Sequence, residues 1–403
     1  MSAPYRVAIV VPDLTRTGGL AAVARFLSEV IADADGFSAD LISVAHSSSD
    51  RASVQLRRPR TWVRGVQVRS ETTDGISYDH VGAVASEIEY CRHQPRSALT
   101  ARLNEYDLVQ VVAGSPARAH VARTVDVPVA LQVATLAREE RTSALGEGWH
   151  PLTLWRRFML RVTDRLDHSA LRHIDAAFVE NQWMYDHLSE YMPEDDVVFA
   201  PPGVDTNQFM PGGPPSEGNY VLSVGRLVDP RKNVSLLFEA YARLSARDDL
   251  DVPPLVSAGL SAPPPEAWDV AERLGIRGRV TVHEYVPAST LQELYQDAAL
   301  YVVSSDEEGL GLTILEAMAS GRPVVSTACG GPSTTVVDGE TGLLTPVGDP
   351  EALADAMATV LRHPNRVDAM GTAGRERVVN QFSRTATGQR FLDVYQQLLI
   401  ASE

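Results

Sequence analysis

The sequence predicts an α/β protein with two doubly wound domains, and two observations point to that class. Short apolar runs rich in β-branched residues alternate with longer stretches of 3.6-residue periodicity. This alternation is typical of parallel strands that are covered by helices on both faces. It stops once, in residues 200–218, where five prolines and four glycines occur without periodicity. We therefore expect two domains of similar size, joined by a hinge.

The elements of each half follow from this periodicity. The first predicted strand lies at 6–11, and Gly18-Gly19 and an amphipathic helix follow it. Further strands of the first half are predicted at 41–45, 65–69, 108–113, 127–133 and 176–180. Those of the second half are predicted at 220–225, 255–259, 280–286, 300–305, 323–327 and 342–346, before a final helix at 384–400. Ligands bind at the carboxyl ends of such strands, so a two-substrate enzyme is favoured over a binding protein or a scaffold.

The charge balance excludes several classes of partner. The 403 residues include 36 Lys+Arg and 52 Asp+Glu, a formal net charge of −16, whereas nucleic acid binding needs a basic face. Two cysteines, Cys91 and Cys329, are too few for a disulfide framework, so we expect a reducing, cytoplasmic location. No apolar run approaches the roughly 18 residues of a membrane-spanning helix. The first residues also lack the apolar core of a signal peptide.

The strongest chemical pattern is SSDEEGLGLTILEAMASG at 304–321. It follows a predicted strand and opens a helix, where free backbone N–H groups and the helix dipole suit a phosphate. Gly309 and Gly311 let the backbone approach a ligand without interference from a Cβ. Glu308 and Glu316 are then placed to hold hydroxyl groups on either side of that phosphate. Isolated glutamates are more often solvated, but the glycines between these two favour the binding role.

A second pattern, Gly225-Arg226 with Lys232-Asn233, also lies between a predicted strand and a helix. Two cations six residues apart across a turn with Pro230 can converge on a diphosphate, Arg226 as a planar fork and Lys232 as a compact charge. Surface solvation is the usual role of such residues. Lys232 is nevertheless the only lysine in the protein. We interpret it as marking a position where a guanidinium does not fit.

Motifs of several other enzyme classes do not occur in the sequence. The first strand-to-helix turn lacks the G-x-G-x-x-G dinucleotide pattern, and the Walker, H-E-x-x-H and G-x-S-x-G patterns are missing. The ten histidines show no metal-ligand spacing, so we expect no metal site. Gly18-Gly19 remains a weak candidate for the close approach of a phosphate.

The segment EGLGLTILEAMASGRPVV at 308–325 closely resembles the E-x7-E signature of retaining glycosyltransferases of family 4, which adopt the two-domain GT-B fold. The resemblance continues in PPGVD at 201–205, in residues 224–233 and in GGPSTTVVDGETG at 330–342. It covers nearly all of the C-terminal half. In the N-terminal half it rests on Gly18-Gly19 and on residues 176–189.

The resemblance implies two Rossmann-like domains that face a central cleft. The acceptor-binding domain would comprise residues 1–200 and the donor-binding domain residues 201–382. A C-terminal helix, 383–403, would cross back and pack on the N-terminal domain.

Carried over by position, the resemblance also implies a nucleoside diphosphate sugar as donor, a hydroxyl compound as acceptor, and no cofactor or metal. Arg226 and Lys232 would hold the diphosphate, Glu308 the sugar hydroxyls and Glu316 the ribose, with Glu308, Lys232 and Arg226 as the catalytic residues. The remaining donor-binding positions would be Gly18, Gly19, Gly309, Gly311, Leu312 and Thr313. Transfer would retain the anomeric configuration, with the leaving phosphate helping to deprotonate the acceptor.

Three departures from the family pattern bear on these roles. Ala134-Thr135 follow a predicted strand where the family often has a histidine, so we name no catalytic histidine. Thr334 stands where a glutamate is usual, which affects a secondary contact. Glu284 stands where a glycine is common, beside the expected base-binding strand end. It either alters the nucleotide preference or is simply exposed.

The helix predicted near 151–174 bears on the acceptor and on membrane contact. It combines an apolar stripe that includes Trp155, Phe158 and Leu166 with four arginines on other faces. A basic amphipathic helix can bind an anionic membrane surface, but we favour a stripe that faces the core.

Together these features predict a metal-independent retaining glycosyltransferase that moves a hexose-type sugar to a small or natural-product-like hydroxyl acceptor. The alternatives are a lipid or polysaccharide acceptor, a nucleotide-sugar epimerase or hydrolase, and a catalytically silent sugar-nucleotide-binding subunit.

Overall fold

A computed structural model describes residues 3–12, 14, 19–73, 75–138, 151–212 and 220–402. The chain divides into two compact units. Unit 1 comprises Met1–Pro202 with Gly388–Glu403, and unit 2 comprises Gly203–Thr387.

Unit 1 is built on an eight-stranded sheet in the order β3-β4-β2-β1-β5-β6-β7-β8. Its strands are β1 Tyr5–Pro12, β2 Phe37–Val44, β3 Val68–Thr73, β4 Ile76–Val81, β5 Leu108–Ala113, β6 Val129–Val133, β7 Ala176–Val179 and β8 Val197–Phe199. Each neighbouring pair is parallel except β3 and β4, which are antiparallel. Its helices are α1 Gly19–Ala32, α2 Pro59–Arg64, α3 Glu89–Arg92, α4 Ser97–Leu103, α5 Pro151–Ala170 and α6 Gln182–Leu188.

Unit 2 contains a six-stranded parallel sheet in the order β11-β10-β9-β12-β13-β14. The strands are β9 Val221–Val224, β10 Leu255–Gly259, β11 Val280–Glu284, β12 Leu300–Val303, β13 Val324–Thr327 and β14 Gly342–Thr345. The helices of the second half are α7 Val234–Ser245, α8 Pro265–Arg273, α9 Ala288–Asp297, α10 Leu312–Ala319, α11 Gly330–Thr335, α12 Pro350–Leu361, α13 Pro364–Arg377 and α14 Arg384–Ser402.

The final helix α14 contributes most of its length to the core of unit 1. Phe391 packs on Phe178 of β7 with ring centroids 4.2 Å apart, and both rings are fully buried. The buried hydroxyl of Tyr395 donates to Gln110 Oε1 of β5 at 2.8 Å. This bond satisfies two polar groups that burial would otherwise penalise. Residues 388–402 therefore complete one face of the first sheet.

The predicted fold class is confirmed, because both halves are α/β units on sheets that are parallel apart from the β3–β4 pair. The strand predicted at 65–69 is wrong in position, since β3 begins at Val68 and extends to Thr73. Strand β4, which lies between β3 and β2, and the three-residue edge strand β8 were not predicted. The β3–β4 pair lies at the sheet edge, where polar residues on the exposed face interrupt the continuous apolar run of a buried strand.

The predicted core stripe of α5 is wrong in part. Leu166 is buried, but Phe158 is 55% exposed, and Trp155 lies outside the described side chains. Asp167 takes a place on the buried face because its carboxylate accepts from the N–H groups of Ala117 at 2.7 Å and Ala137 at 2.9 Å. Burial raises the pKa of Asp167 to about 6. Within the described ranges, no helix has the length and apolarity needed to cross a membrane.

Candidate functional site

Two sequence-distant loops meet at the carboxyl edge of the second sheet. Strands β9 and β12 are neighbours in that sheet, so the loops that follow them, 225–233 and 304–311, lie side by side. A pocket at this edge is lined by residues of both loops, among them Gly225, Lys232, Ser305 and Glu308, and by Thr313 of α10. The structure therefore brings together the two patterns that the sequence separates by more than 70 residues.

Lys232 and Glu308 form an ion pair inside this pocket, with Lys232 Nζ donating to Glu308 Oε2. Their side chains are only 18% and 17% exposed. The stem of Lys232 lies against Gly225, where an added Cβ would be 3.7 Å from Lys232 Cε. Ser305 Oγ donates to the same carboxylate oxygen of Glu308 at 3.4 Å. Each charge is largely removed from water and is neutralised by the other.

Arg226 lies at the start of the 225–233 loop. Its side chain is 58% exposed, and its Nη2 is 3.1 Å from Asp229 Oδ2. Asp229 also accepts from Arg231, through Nη2 at 2.8 Å and through Nε and the backbone N–H at 3.1 Å. Burial opposes ionisation of Asp229, but the hydrogen bonds and the charges of both arginines outweigh it, so the pKa of Asp229 lies below its ordinary value.

Asn233 joins the two loops. It has a left-handed backbone (φ 43°), and its side-chain oxygen accepts from Leu236 N at 3.1 Å, which caps α7. Its Nδ2 donates to Asp306 Oδ1 at 3.0 Å. Ser304 Oγ donates to the carbonyls of Lys232 at 2.9 Å and Asn233 at 3.1 Å. These bonds set the position of Lys232 relative to Glu308.

Helix α10 begins directly beyond the pocket. Gly311 caps its N-terminus with φ 83°, and no described side chain caps this turn. A Cβ at Gly311 would lie 2.8 Å from Ile314 Cδ1. A Cβ at Gly331 would lie 2.5 Å from the Leu310 carbonyl, so glycine is required at both positions. The open N-terminus faces the loop of Glu308 and suits an anionic ligand.

Glu316 lies on α10, two turns beyond Glu308 in sequence. Tyr295 of α9 donates its hydroxyl to Glu316 Oε2 at 2.8 Å, and the Tyr295 ring is fully buried. Burial raises the pKa of Glu316 to about 7, and the hydrogen bond from Tyr295 opposes that rise. The neighbouring Tyr301 donates to the Val224 carbonyl at 3.1 Å, at the end of β9. The sequence analysis assigned no role to either tyrosine, because neither stands in one of the motifs that it singled out.

The remaining predicted positions are divided between the two units. Gly309, Leu312 and Thr313 belong to the same loop and helix start. Gly19 opens α1 in unit 1, and Gly18 lies outside the described residues. Glu284, at the end of β11, is exposed. No set of three or more His, Cys, Asp or Glu side chains in the described residues could hold a metal ion.

Unit 1 has a buried carboxyl group that the sequence analysis did not single out. Glu180 directly follows β7, and Gln132 Nε2 of β6 donates to its Oε1 at 3.1 Å. Burial raises the pKa of Glu180 to about 7. Ala134, which follows β6, accepts from Asn181 Nδ2 at 3.4 Å. A charged residue at the end of a wholly apolar predicted strand was the available signal for Glu180.

The second half of the chain, which contains this site, matches a known protein family. Residues 204–377 match the family model described as Glycosyl transferases group 1. The chain is 33% identical over 229 residues to D-inositol 3-phosphate glycosyltransferase of Corynebacterium glutamicum, covering 53% of this chain and 54% of that protein. The protein of the same name from Segniliparus rotundus is 35% identical over 229 residues, covering 53% of this chain and 50% of that protein. The chain thus spans about half the length of the curated relatives it matches.

Solved structures resemble the whole chain. Sucrose-phosphate synthase from Thermosynechococcus elongatus has a TM-score of 0.74 at 22% identity, covering 98% of this chain and 100% of that one. The Anabaena protein HepE, solved with UDP, has a TM-score of 0.68 at 16% identity, covering 97% and 100%. The chain therefore has the two-domain GT-B fold, and its residues 204–377 carry the match to glycosyl transferases group 1.

Proposed function

We propose that this chain is a retaining, metal-independent glycosyltransferase that moves a hexose-type sugar from a nucleoside diphosphate to a hydroxyl acceptor. The observation that carries the proposal is the buried Lys232–Glu308 pair in a pocket beside the open N-terminus of α10. A cation, a carboxylate and a helix N-terminus at one sheet edge are what a sugar diphosphate needs. The pair also lies within the segment that matches glycosyl transferases group 1.

In this proposal the diphosphate binds between the first turn of α10 and the two cations of the 225–233 loop. Lys232 supplies a compact charge inside the pocket, and the more exposed Arg226 supplies a planar fork at its rim. Backbone groups at Gly311, Leu312 and Thr313 complete the phosphate site. Two cations and a helix terminus can neutralise the charge that develops on the leaving diphosphate, so the reaction needs no metal.

The two glutamates bind the parts of the donor on either side of the diphosphate. Glu308 accepts hydrogen bonds from hydroxyls of the sugar, and Glu316 accepts from the ribose. In the free protein Lys232 and Glu308 neutralise each other. When donor binds, the phosphate and the sugar hydroxyls become their partners. The ion pair therefore holds both side chains in the pocket without a ligand.

The transfer step follows from this arrangement. The acceptor hydroxyl oxygen forms a bond to the anomeric carbon on the face that the diphosphate leaves. The bond from that carbon to the phosphate oxygen breaks, and its electron pair goes to the diphosphate. The proton of the acceptor hydroxyl passes to the leaving phosphate oxygen, so the configuration is retained and no protein base is required.

For the acceptor we propose a small polyhydroxylated compound. Curated relatives are named for D-inositol 3-phosphate, and the structural neighbours include sucrose-phosphate synthase, so acceptors of that kind occur on this fold. A lipid or polysaccharide acceptor is the alternative, and lipopolysaccharide outer core galactosyltransferase WaaB is a neighbour with a TM-score of 0.67 at 16% identity. The exposed side chain of Phe158 on α5 is a reason to include lipid acceptors in the test. We place the reaction in the cytoplasm.

The proposal is tested in two steps. Melting temperatures are first measured with UDP, GDP, ADP and dTDP, because a ligand of the native state raises the transition by mass action. The matching nucleotide sugars are then incubated with a panel of polyols, sugar phosphates and lipids, and the anomeric configuration of the product is determined by NMR. Stabilisation by one nucleotide and a retained glycoside support the proposal. Failure of all four nucleotides to bind would overturn it.

A second candidate is a sugar-nucleotide-binding subunit without turnover. The observation that favours it is Ala134-Thr135 at the end of β6, where the resembling family often has a histidine. Binding of nucleotide sugar without any product across the acceptor panel would support this candidate. Release of free sugar without acceptor would instead indicate a hydrolase, and conversion to an isomer an epimerase.

A further inference from the structure

We propose that Tyr295 is a positioning residue for the donor: its hydroxyl orients the Glu316 carboxylate so that the opposite oxygen receives the ribose hydroxyls. The inference rests on the proposed function, which gives Glu316 its ligand. It assigns a task to a buried side chain that has no direct access to substrate.

The geometry of the pair carries the inference. Tyr295 donates to Glu316 Oε2 at 2.8 Å, which is an ordinary distance for a well-formed O–H···O hydrogen bond. Among the described residues, Tyr295 is the one side chain that hydrogen-bonds Glu316. Glu316 Oε1 receives no bond from that part of the chain, and Glu316 keeps part of its surface in solvent. One oxygen is therefore held and the other is available for a ligand.

Tyr295 is itself held by packing on two sides. Its ring meets Phe209 edge-on with centroids 5.7 Å apart, and it lies 5.6 Å from the ring of Tyr301. Tyr301 is tied to the end of β9 through the Val224 carbonyl at 3.1 Å. The tyrosine hydroxyl therefore projects from rigid elements, which is the condition for orienting another group.

The surrounding charges do not replace this bond. Arg375 of α13 packs against α10, but its Nη1 donates to the carbonyls of Ala319 and Phe209. Arg377 donates to the carbonyls of Thr334 and Thr335.

On the pocket side, Lys232 is paired with Glu308. Tyr301, on β12, is the other titratable group beside the Tyr295–Glu316 pair, and burial raises its pKa far above neutrality, so it stays protonated. The Tyr295 hydroxyl is thus the local feature that favours the ionised form of Glu316.

The test compares Tyr295→Phe with wild type by calorimetric titration of UDP, GDP and ADP, each beside its 2′-deoxy and 3′-deoxy analogues. In wild type, at least one deoxy analogue should bind roughly tenfold more weakly than its ribonucleotide, because a hydrogen bond to a charged group is lost. In Tyr295→Phe, affinity for the ribonucleotide should fall by about that factor while affinity for the deoxy analogue changes little. The ratio of the affinity for the ribonucleotide to the affinity for its deoxy analogue should therefore fall towards one.

Tyr241→Phe is the matched control. Tyr241 of α7 is equally buried in the same unit, and its hydroxyl donates to the Pro253 carbonyl at 2.8 Å, away from Glu316. It loses a buried hydroxyl in the same way, so it reports any general destabilisation. Its ribose discrimination should equal that of wild type.

A second readout separates positioning from a structural role. The Tyr295 bond lowers the pKa of Glu316, which burial raises to about 7. Ribonucleotide affinity of wild type should therefore rise as the pH increases through 7, and this rise should move to higher pH in Tyr295→Phe.

Unchanged discrimination and an unchanged pH profile in a folded Tyr295→Phe protein would overturn the positioning role while leaving nucleotide binding intact. If wild type bound none of the nucleotides, the proposed donor site would fail, and the role of Tyr295 with it.

Discussion

Lys232 and Glu308, 76 residues apart in sequence, form an ion pair in which both side chains are more than four-fifths buried. The pair is made possible by the sheet order, which places β12 beside β9. It explains how two opposite charges are kept at one site without a ligand.

Replacing Lys232 by arginine should reduce kcat/KM by roughly tenfold or more, because a planar guanidinium is larger than the ammonium and cannot occupy the same place against Gly225. The measurement is steady-state kinetics with the donor that stabilises the protein. Arg243→Lys, at an exposed position of α7 that pairs with Glu351, is the control and should leave activity unchanged. Full activity of Lys232→Arg would show that only the charge matters.

Glu308→Gln should separate nucleotide binding from turnover. Loss of the carboxylate frees Lys232 for phosphate, so the nucleoside diphosphate should bind at least as tightly as to wild type, while turnover falls by orders of magnitude. Lys232→Met should instead weaken the nucleoside diphosphate. Calorimetry and product formation measure the two effects. If both variants weakened the nucleotide equally, Glu308 and Lys232 would not have the separate ligands proposed.

Asn233→Ala should destabilise unit 2 by about 1–2 kcal/mol, because the cap of α7 is lost and alanine disfavours the left-handed backbone. Asn233→Gly should cost less, since glycine accepts that backbone. Denaturant unfolding measures the difference. Both variants should also weaken nucleotide binding, because the bond to Asp306 that steadies the Lys232 loop is removed. Equal stability of the alanine variant and wild type would contradict the strain at this position.

Glu180→Gln should change how the stability of unit 1 depends on pH. The pKa of Glu180 is raised by burial from 4.5 to about 7, so the folded state holds a proton that the unfolded state has released between these values. The contribution of Glu180 to stability is therefore most favourable below about pH 4.5 and is lost as the pH rises to 7, by up to about 3 kcal/mol.

The glutamine variant should lose less stability between pH 5 and pH 8 than wild type. Its amide also offers a donor to Gln132 Oε1, which lacks a hydrogen bond in the structure. Thermal unfolding of both proteins across that pH range measures the effect. Glu194→Gln, at an exposed position, is the control. Parallel pH profiles for wild type and Glu180→Gln would contradict a raised pKa.

The sequence alone determined the α/β class and most strands, because continuous apolar runs are read directly from periodicity. It also singled out Gly311, Glu308 and Lys232 as candidates, since glycine beside charge at a strand end is a local pattern. Strand β4 escaped prediction, because polar residues interrupt its apolar run. The exposure of Phe158 was not predicted either, because periodicity does not show whether another element packs on an apolar stripe.

Only the tertiary structure decided which groups meet. The order β9-β12 in the second sheet results from a crossover, and no local pattern encodes it. That order brings Lys232 to Glu308, and the packing of α9 beside α10 brings Tyr295 to Glu316. Hydrogen bonds and pKa values depend on distances of about 3 Å between atoms far apart in the chain. Such distances are set by how elements pack.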